Sequence, residues 1–485
     1  MTPNRRSTDS YNMLGASFDF DPDFSLLSNK THKNKNPKPP VKLLPYRHGS
    51  NTTSSDLDNY IFNSGSGSSD DETPPPAAPI FISLEEVLLN GLLIDFAIDP
   101  SGVKFLEANY PLDSEDQIRK AVFEKLTEST TLFVGLCHSR NGNFIVQKLV
   151  ELATPAEQRE LLRQMIDGGL LVMCKDKFAC RVVQLALQKF DHSNVFQLIQ
   201  ELSTFDLAAM CTDQISIHVI QRVVKQLPVD MWTFFVHFLS SGDSLMAVCQ
   251  DKYGCRLVQQ VIDRLAENPK LPCFKFRIQL LHSLMTCIVR NCYRLSSNEF
   301  ANYVIQYVIK SSGIMEMYRD TIIDKCLLRN LLSMSQDKYA SHVIEGAFLF
   351  APPALLHEMM EEIFSGYVKD VELNRDALDI LLFHQYGNYV VQQMISICTA
   401  ALIGKEERQL PPAILLLYSG WYEKMKQRVL QHASRLERFS SGKKIIDSVM
   451  RHGVPTAAAI NAQAAPSLME LTAQFDAMFP SFLAR

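Results

Sequence analysis

The sequence predicts an all-α fold, a solenoid of stacked helical repeats. Three observations lead there. From about residue 83 to about residue 452, apolar residues recur at three- and four-residue spacing, the period of a helix. Alternating runs of the kind that build strands are scarce. One short string recurs eight times at a spacing that suits a two- or three-helix unit.

The ends differ from the middle. Residues 1–79 hold 10 of the 23 prolines and carry 8 basic against 9 acidic residues. With few large apolar side chains to bury, this tail is expected to be disordered. Gly65 and Gly67 lie in Ser-rich surroundings with no strand before them, so a flexible linker is the better reading than a phosphate loop. Order is expected from Ser83, where Ser83-Leu84-Glu85-Glu86 forms a capping box ahead of an apolar segment. The repeat domain is drawn over 80–454. An Ala-rich extension follows over 455–485, with one candidate amphipathic helix in SLMELTAQFDAMF.

The repeats are DPSGVKFLE (99–107), SRNGNFIVQ (139–147), DKFACRVVQ (176–184), DQISIHVIQ (213–221), DKYGCRLVQ (251–259), NEFANYVIQ (298–306), DKYASHVIE (337–345) and HQYGNYVVQ (384–392). Successive copies lie 37 to 47 residues apart. A degenerate ninth copy, RFSSGKKIID (438–447), reads as a terminal cap. Number the five residues after the small fourth residue from one to five. Positions three and four are apolar in every copy and should face the core. Positions one and five are one helical turn apart and share a face, with position two at its border. Folding needs only the apolar pair. It does not need a planar group and an amide or carboxylate beside it in copy after copy, so that stripe points to function.

Single-stranded RNA bases suit it. Phe144, Arg181, His218, Arg256, Tyr303, His342 and Tyr389 can stack between bases. The amides and carboxylate at position five, with Asn, Cys or Ser at position one, can read base edges. Asn with Gln suits uracil, Cys with Gln suits adenine, and Ser with Glu suits guanine.

Charge sharpens this. With 48 Lys+Arg against 53 Asp+Glu the net charge is −5, which argues against binding driven mainly by phosphate contacts. The eleven cysteines form no CxxC pair, so neither a disulfide framework nor a zinc site is expected. Free thiols in a cytoplasmic protein are expected, with no metal and no cofactor. No apolar run reaches the length of a membrane span. No P-loop, HExxH or nucleophile elbow occurs, so no enzymatic activity is expected.

The strings resemble those of the Pumilio (PUF) family, over about residues 83–452. The resemblance implies a right-handed α-solenoid crescent of eight three-helix repeats with partial capping repeats. It also implies a monomer that binds RNA antiparallel, the last repeat on the 5′ base. Carried over, Asn388/Tyr389/Gln392 read U, Ser341/His342/Glu345 read G, Asn302/Tyr303/Gln306 read U and Cys255/Arg256/Gln259 read A. This spells 5′-UGUA. Toward the 3′ end, Cys180/Arg181/Gln184 suggest A and Asn143/Phe144/Gln147 suggest U. Two repeats depart from the pattern. Ile217/His218/Gln221 has an aliphatic first residue, so weak selectivity is expected. Val103/Lys104/Glu107 lacks the small polar first residue, and Lys104 is free to meet a phosphate.

The segment IFSGYVKDVELNRDALDILLFHQYGNYVVQ resembles the long connection between repeats seven and eight in the family's nematode germline (FBF-like) branch. There a loop docks protein partners, and Tyr367 matches its exposed aromatic. The implied function is binding of mRNA 3′ untranslated regions, with repression of translation or stability through repressor or deadenylase-recruiting proteins. A germline role and residence in cytoplasmic ribonucleoprotein granules go with it. The weighed alternatives are a nucleolar relative binding structured RNA with low specificity, and a helical scaffold that binds no RNA.

Overall fold

A computed structural model describes residues 83–267, 273–368, 375–403, 410–450, 454–455 and 457–463. The tail expected over 1–79 and the amphipathic helix expected within 467–479 lie outside them.

The described secondary structure is helical, and it repeats in threes. The second repeat shows the plan. A first helix, Thr130–His138, leads into a middle helix, Gly142–Leu152, and a third helix, Pro155–Asp167, returns. The other middle helices are Pro100–Asn109, Ala179–Lys189, Ile217–Gln226, Gly254–Ala266, Asn302–Lys310, Ala340–Phe350 and Gly387–Leu402. Each packs on the next, so they form one continuous row. A ninth, Ser440–Val449, packs on the eighth and closes the row, as the degenerate string predicts.

The apolar pair explains the row. Ile145-Val146, Val182-Val183, Leu257-Val258, Val304-Ile305, Val343-Ile344 and Val390-Val391 are wholly buried, and Val219-Ile220 nearly so. Two adjacent apolar residues cover a broad arc of the helix, enough to meet both neighbouring layers. The small residue before position one lets the middle helix start close against the first helix. A Cβ on Gly254 would lie 2.2 Å from the Val248 carbonyl oxygen, and one on Gly442 would lie 2.1 Å from that of Leu436. The ninth unit thus repeats the internal geometry of a full one.

Polar links run from unit to unit. Arg119, on the third helix of the first repeat (Gln117–Leu126), is buried. Its guanidinium donates to the Leu152 carbonyl at 2.7 Å and to Glu157 at 2.8 Å. Glu157 also closes a capping box with Thr154, so the pair fixes where the next third helix begins. Gln158 accepts from the Asp191 backbone N–H at 2.8 Å one repeat further on. At the far end, the sequence over 403–420 lengthens the eighth repeat, and its second half opens a 20-residue helix, Pro412–Gln431. Arg428 on that helix reaches Asp376 at 2.6 Å and Asp379 at 3.0 Å, and His432 just beyond it meets Asp379 at 2.9 Å.

The close approach at Gly254 predicts that Gly254→Val lowers stability by about 1–3 kcal/mol through overpacking. Urea denaturation followed by circular dichroism measures it; an unchanged midpoint would contradict the packing described.

Candidate nucleic-acid interface

The residue that opens each string caps the middle helix. A helix start leaves backbone N–H groups without partners. Asp176 takes those of Phe178 and Ala179, each at 2.8 Å. Asp251 does so for Tyr253 and Gly254, Asp337 for Tyr339 and Ala340, Asp213 for Ile215 and Ser216, and Asp99 for Ser101 and Gly102. Asn298 caps with its side-chain oxygen, Ser139 with its hydroxyl and His384 with Nδ1. That histidine must leave Nδ1 unprotonated to accept, and burial lowers its pKa in the same sense. Reading the triplets alone misses these caps. Their signal is present in the Asp, Asn, Ser or His that begins every string.

Position one is not presented to solvent as expected. Asn143, Asn302, Asn388, Ser341, Cys180 and Cys255 are all buried. They sit between the capped turn and the position-five side chain, where polar groups need partners. In the three Asn repeats this produces a clamp. Asn143 Nδ2 donates to the carbonyls of Ser139 at 2.8 Å and Arg140 at 2.9 Å. Asn302 binds Asn298 and Glu299 likewise, and Asn388 binds His384 and Gln385. Two carbonyls require the –NH₂ side, so Oδ1 must face the other way. It accepts from Gln147 Nε2 at 2.8 Å, and the same bond is 2.7 Å at Gln306 and 2.9 Å at Gln392. Each glutamine then keeps its Oε1 outside the clamp; Gln306 and Gln392 also keep one N–H, whereas Gln147 Nε2 donates in addition to the Asn143 carbonyl at 3.3 Å.

The other position-one residues hold less. Ser341 Oγ donates to the Lys338 carbonyl at 3.3 Å, and the thiols of Cys180 and Cys255 lean on Lys177 and Lys252 carbonyls. Burial pushes both thiols up to about 11, against the pull of Arg181 and Arg256, so they stay protonated at neutral pH. A protonated, buried thiol is a poor nucleophile or metal ligand. Ile217 and Val103 are buried too.

Position two is where the surface opens. Phe144 is 40% and Tyr303 49% exposed. Lys104, Arg181, Arg256 and His342 are exposed, and His218 and Tyr389 half-buried. Position five lies beside them: Glu107, Gln147, Gln221, Gln259, Glu345 and Gln392 are partly exposed, Gln184 and Gln306 buried. Burial raises the Glu107 pKa, opposed by Lys148 of the next middle helix. In each repeat positions two and five thus lie three residues apart on the middle helix, with position one buried. Three lysines in the capped turns, Lys177, Lys252 and Lys338, lie over their neighbouring rings Phe178, Tyr253 and Tyr339 at 4.6–4.9 Å.

Tyr367 differs from the exposed aromatic expected of it. It is half-buried, and its hydroxyl donates to Glu362 and accepts from the Leu332 N–H at 3.0 Å. Glu362 also accepts from the N–H groups of Arg329, at 2.6 Å, and Leu331, at 3.1 Å. Tyr367 and Glu362 together satisfy the start of the seventh repeat's first helix, Leu331–Ser335. Burial and the Glu362 carboxylate both raise the phenol's pKa. The exposed apolar side chain here is Val368, at 96%.

All eleven cysteines are free thiols. Among the described residues there is no cluster of three or more potential metal ligands, and no helix long and apolar enough to cross a membrane.

Comparison with known proteins agrees with this geometry. The Pumilio-family RNA binding repeat matches residues 133–166, 170–203, 207–230, 245–274, 291–324, 330–364 and 383–403. The chain is 98% identical to Pumilio domain-containing protein 7 of Caenorhabditis elegans over the full length of both. It is 63% identical to Pumilio domain-containing protein 5 of the same organism, over 77% of this chain and 68% of that protein. To Fem-3 mRNA-binding factor 1, also of Caenorhabditis elegans, it is 40% identical over 76% of this chain and 62% of that protein. A crystal structure of PUF-6 in complex with 5BE13 RNA matches with a TM-score of 0.74 and 96% identity, covering 76% of this chain and all of that one. A continuous row of three-helix units, matched to the Pumilio-family RNA binding repeat and to these relatives, means that the chain belongs to the Pumilio family of RNA-binding proteins.

Proposed function

We propose that this protein recognises 5′-UGUA-type elements in mRNA 3′ untranslated regions and represses translation or message stability, in the cytoplasm of germline cells. The observation that carries this reading is the uneven distribution of position-five groups. From the second repeat to the eighth, Glu345 is the one carboxylate among glutamines. A carboxylate accepts from both guanine N1–H and its exocyclic amine. It is flanked by two clamped Asn/Gln repeats at Gln306 and Gln392. There the free Oε1 accepts a uracil N3–H and the remaining N–H reaches a uracil carbonyl. The fifth repeat pairs Gln259 with a small buried Cys255, leaving room for adenine. Tyr389, His342, Tyr303 and Arg256 stack between these bases, a contact available to every base and thus a source of affinity rather than choice.

Repressor or deadenylase-recruiting proteins would engage the surface near Tyr367, where Val368 offers an exposed side chain. A Val368→Asp variant should lose capture of such a partner and keep its RNA affinity. Loss of RNA binding in that variant would count against this separation of surfaces.

Selection from random RNA by residues 80–454 should enrich UGUA. Enrichment of duplex RNA, or of nothing, would overturn the reading. Glu345→Ala should cost about 1–3 kcal/mol of discrimination at the second base. The double substitution Ser341→Asn with Glu345→Gln should move that base from G to U, because it recreates the clamped pair. Fluorescence anisotropy on UGUA and UUUA RNAs measures both effects.

A further inference from the structure

The fourth repeat has no polar first residue to orient its reader, yet its reader is held. His218 Nδ1 lies 3.1 Å from Gln221 Oε1. The seventh repeat has the same contact at the same positions: His342 Nδ1 lies 3.1 Å from Glu345 Oε1. The seventh repeat fixes the direction of this bond. A carboxylate accepts and does not donate, so the histidine at this site carries its proton on Nδ1. With the same register and separation, His218 Nδ1 donates to Gln221 Oε1.

This reverses the amide relative to the Asn repeats. In those, Gln147, Gln306 and Gln392 give a proton to the clamp and keep Oε1 for the ligand. In the fourth repeat Oε1 is engaged by His218, and the Nε2 group is turned to the opposite side. It offers two donors. Uracil and guanine present a ring N–H at their Watson–Crick edge, which would face these donors unfavourably. Cytosine and adenine present an unprotonated ring nitrogen, and cytosine adds O2 beside it, so both Nε2 hydrogens find acceptors. Ile217 fills the place that the smaller Cys holds in the adenine repeats, which disfavours a purine.

We infer that the fourth repeat selects cytosine over uracil, with His218 as the residue that sets the choice by orienting Gln221. The inference rests on the UGUA reading, which places this repeat opposite a base on the 3′ side of the core. It replaces the weak selectivity expected from Ile217.

The test uses the full chain and RNAs that carry UGUA followed by either C or U at each of the next three positions. One position should favour C by about tenfold, the effect of one good paired contact. His218→Phe keeps a stacking ring and should bring the ratio of affinities for the C and U RNAs to about one, whatever the change in overall affinity. Ile217→Asn with His218→Tyr rebuilds the clamp and should turn the preference to U. Equal affinity for C and U at all three positions, or a C preference that survives His218→Phe, overturns the inference while leaving the UGUA reading intact. Failure of every RNA to bind wild-type protein overturns the UGUA reading, and this inference with it.

Discussion

Everything on the reading surface depends on where each middle helix begins. A helix allows only a few positions to share a face, and a start displaced by one residue turns every side chain by 100°. The cap four residues ahead of position one prevents that drift. It spends one side chain on two backbone N–H groups and so sets the same register in repeat after repeat. In the Asn repeats the same turn supplies the carbonyls that hold position one, so the cap and the reader form one connected hydrogen-bonded unit. The ninth unit shows the contrast. It keeps the close glycine and the buried Ile445, but Phe439 stands where the cap would be.

Much of this was legible in the sequence because periodic packing leaves periodic residues. The apolar pairs, the small residue before them and the helix class all followed from spacing, and the structure buries the pairs as expected. The triplets were legible for the same reason. What could not be read was which polar groups face ligand and which face the protein. Asn143 and Gln147 look equivalent as residue types. Only the carbonyls of Ser139 and Arg140, brought near by the turn, decide that the asparagine is inward and the glutamine outward. Tyr367 is the same kind of case. A sequence shows an aromatic in a polar segment, but the contacts of its hydroxyl with Glu362 and Leu332 exist only in the folded seventh repeat.

The charge of −5 also takes on a local meaning. Five of the eight caps are aspartates, placed at the base of the reading helices as structural acceptors. Arg181 and Arg256 stand at position two, and Lys177, Lys252 and Lys338 in the capped turns. The cations of this surface are thus set beside carboxylates already engaged with backbone. On the proposed reading, affinity owes much to stacking and edge contacts, and less to the release of counterions than in a strongly basic binder.

The continuous row of middle helices has a metrical consequence. Packed helices stand about 8–10 Å apart. A base rises about 3.4 Å in a stack, so a base with one interleaved side chain spans roughly 7 Å. The protein and a bound strand are therefore two rulers of unequal pitch laid side by side, and they work as a vernier. Alignment is good over a few divisions and slips beyond them. On the proposed reading, a strand would stretch along the row or take in an additional nucleotide. The length of a target need not equal the number of rungs that read it.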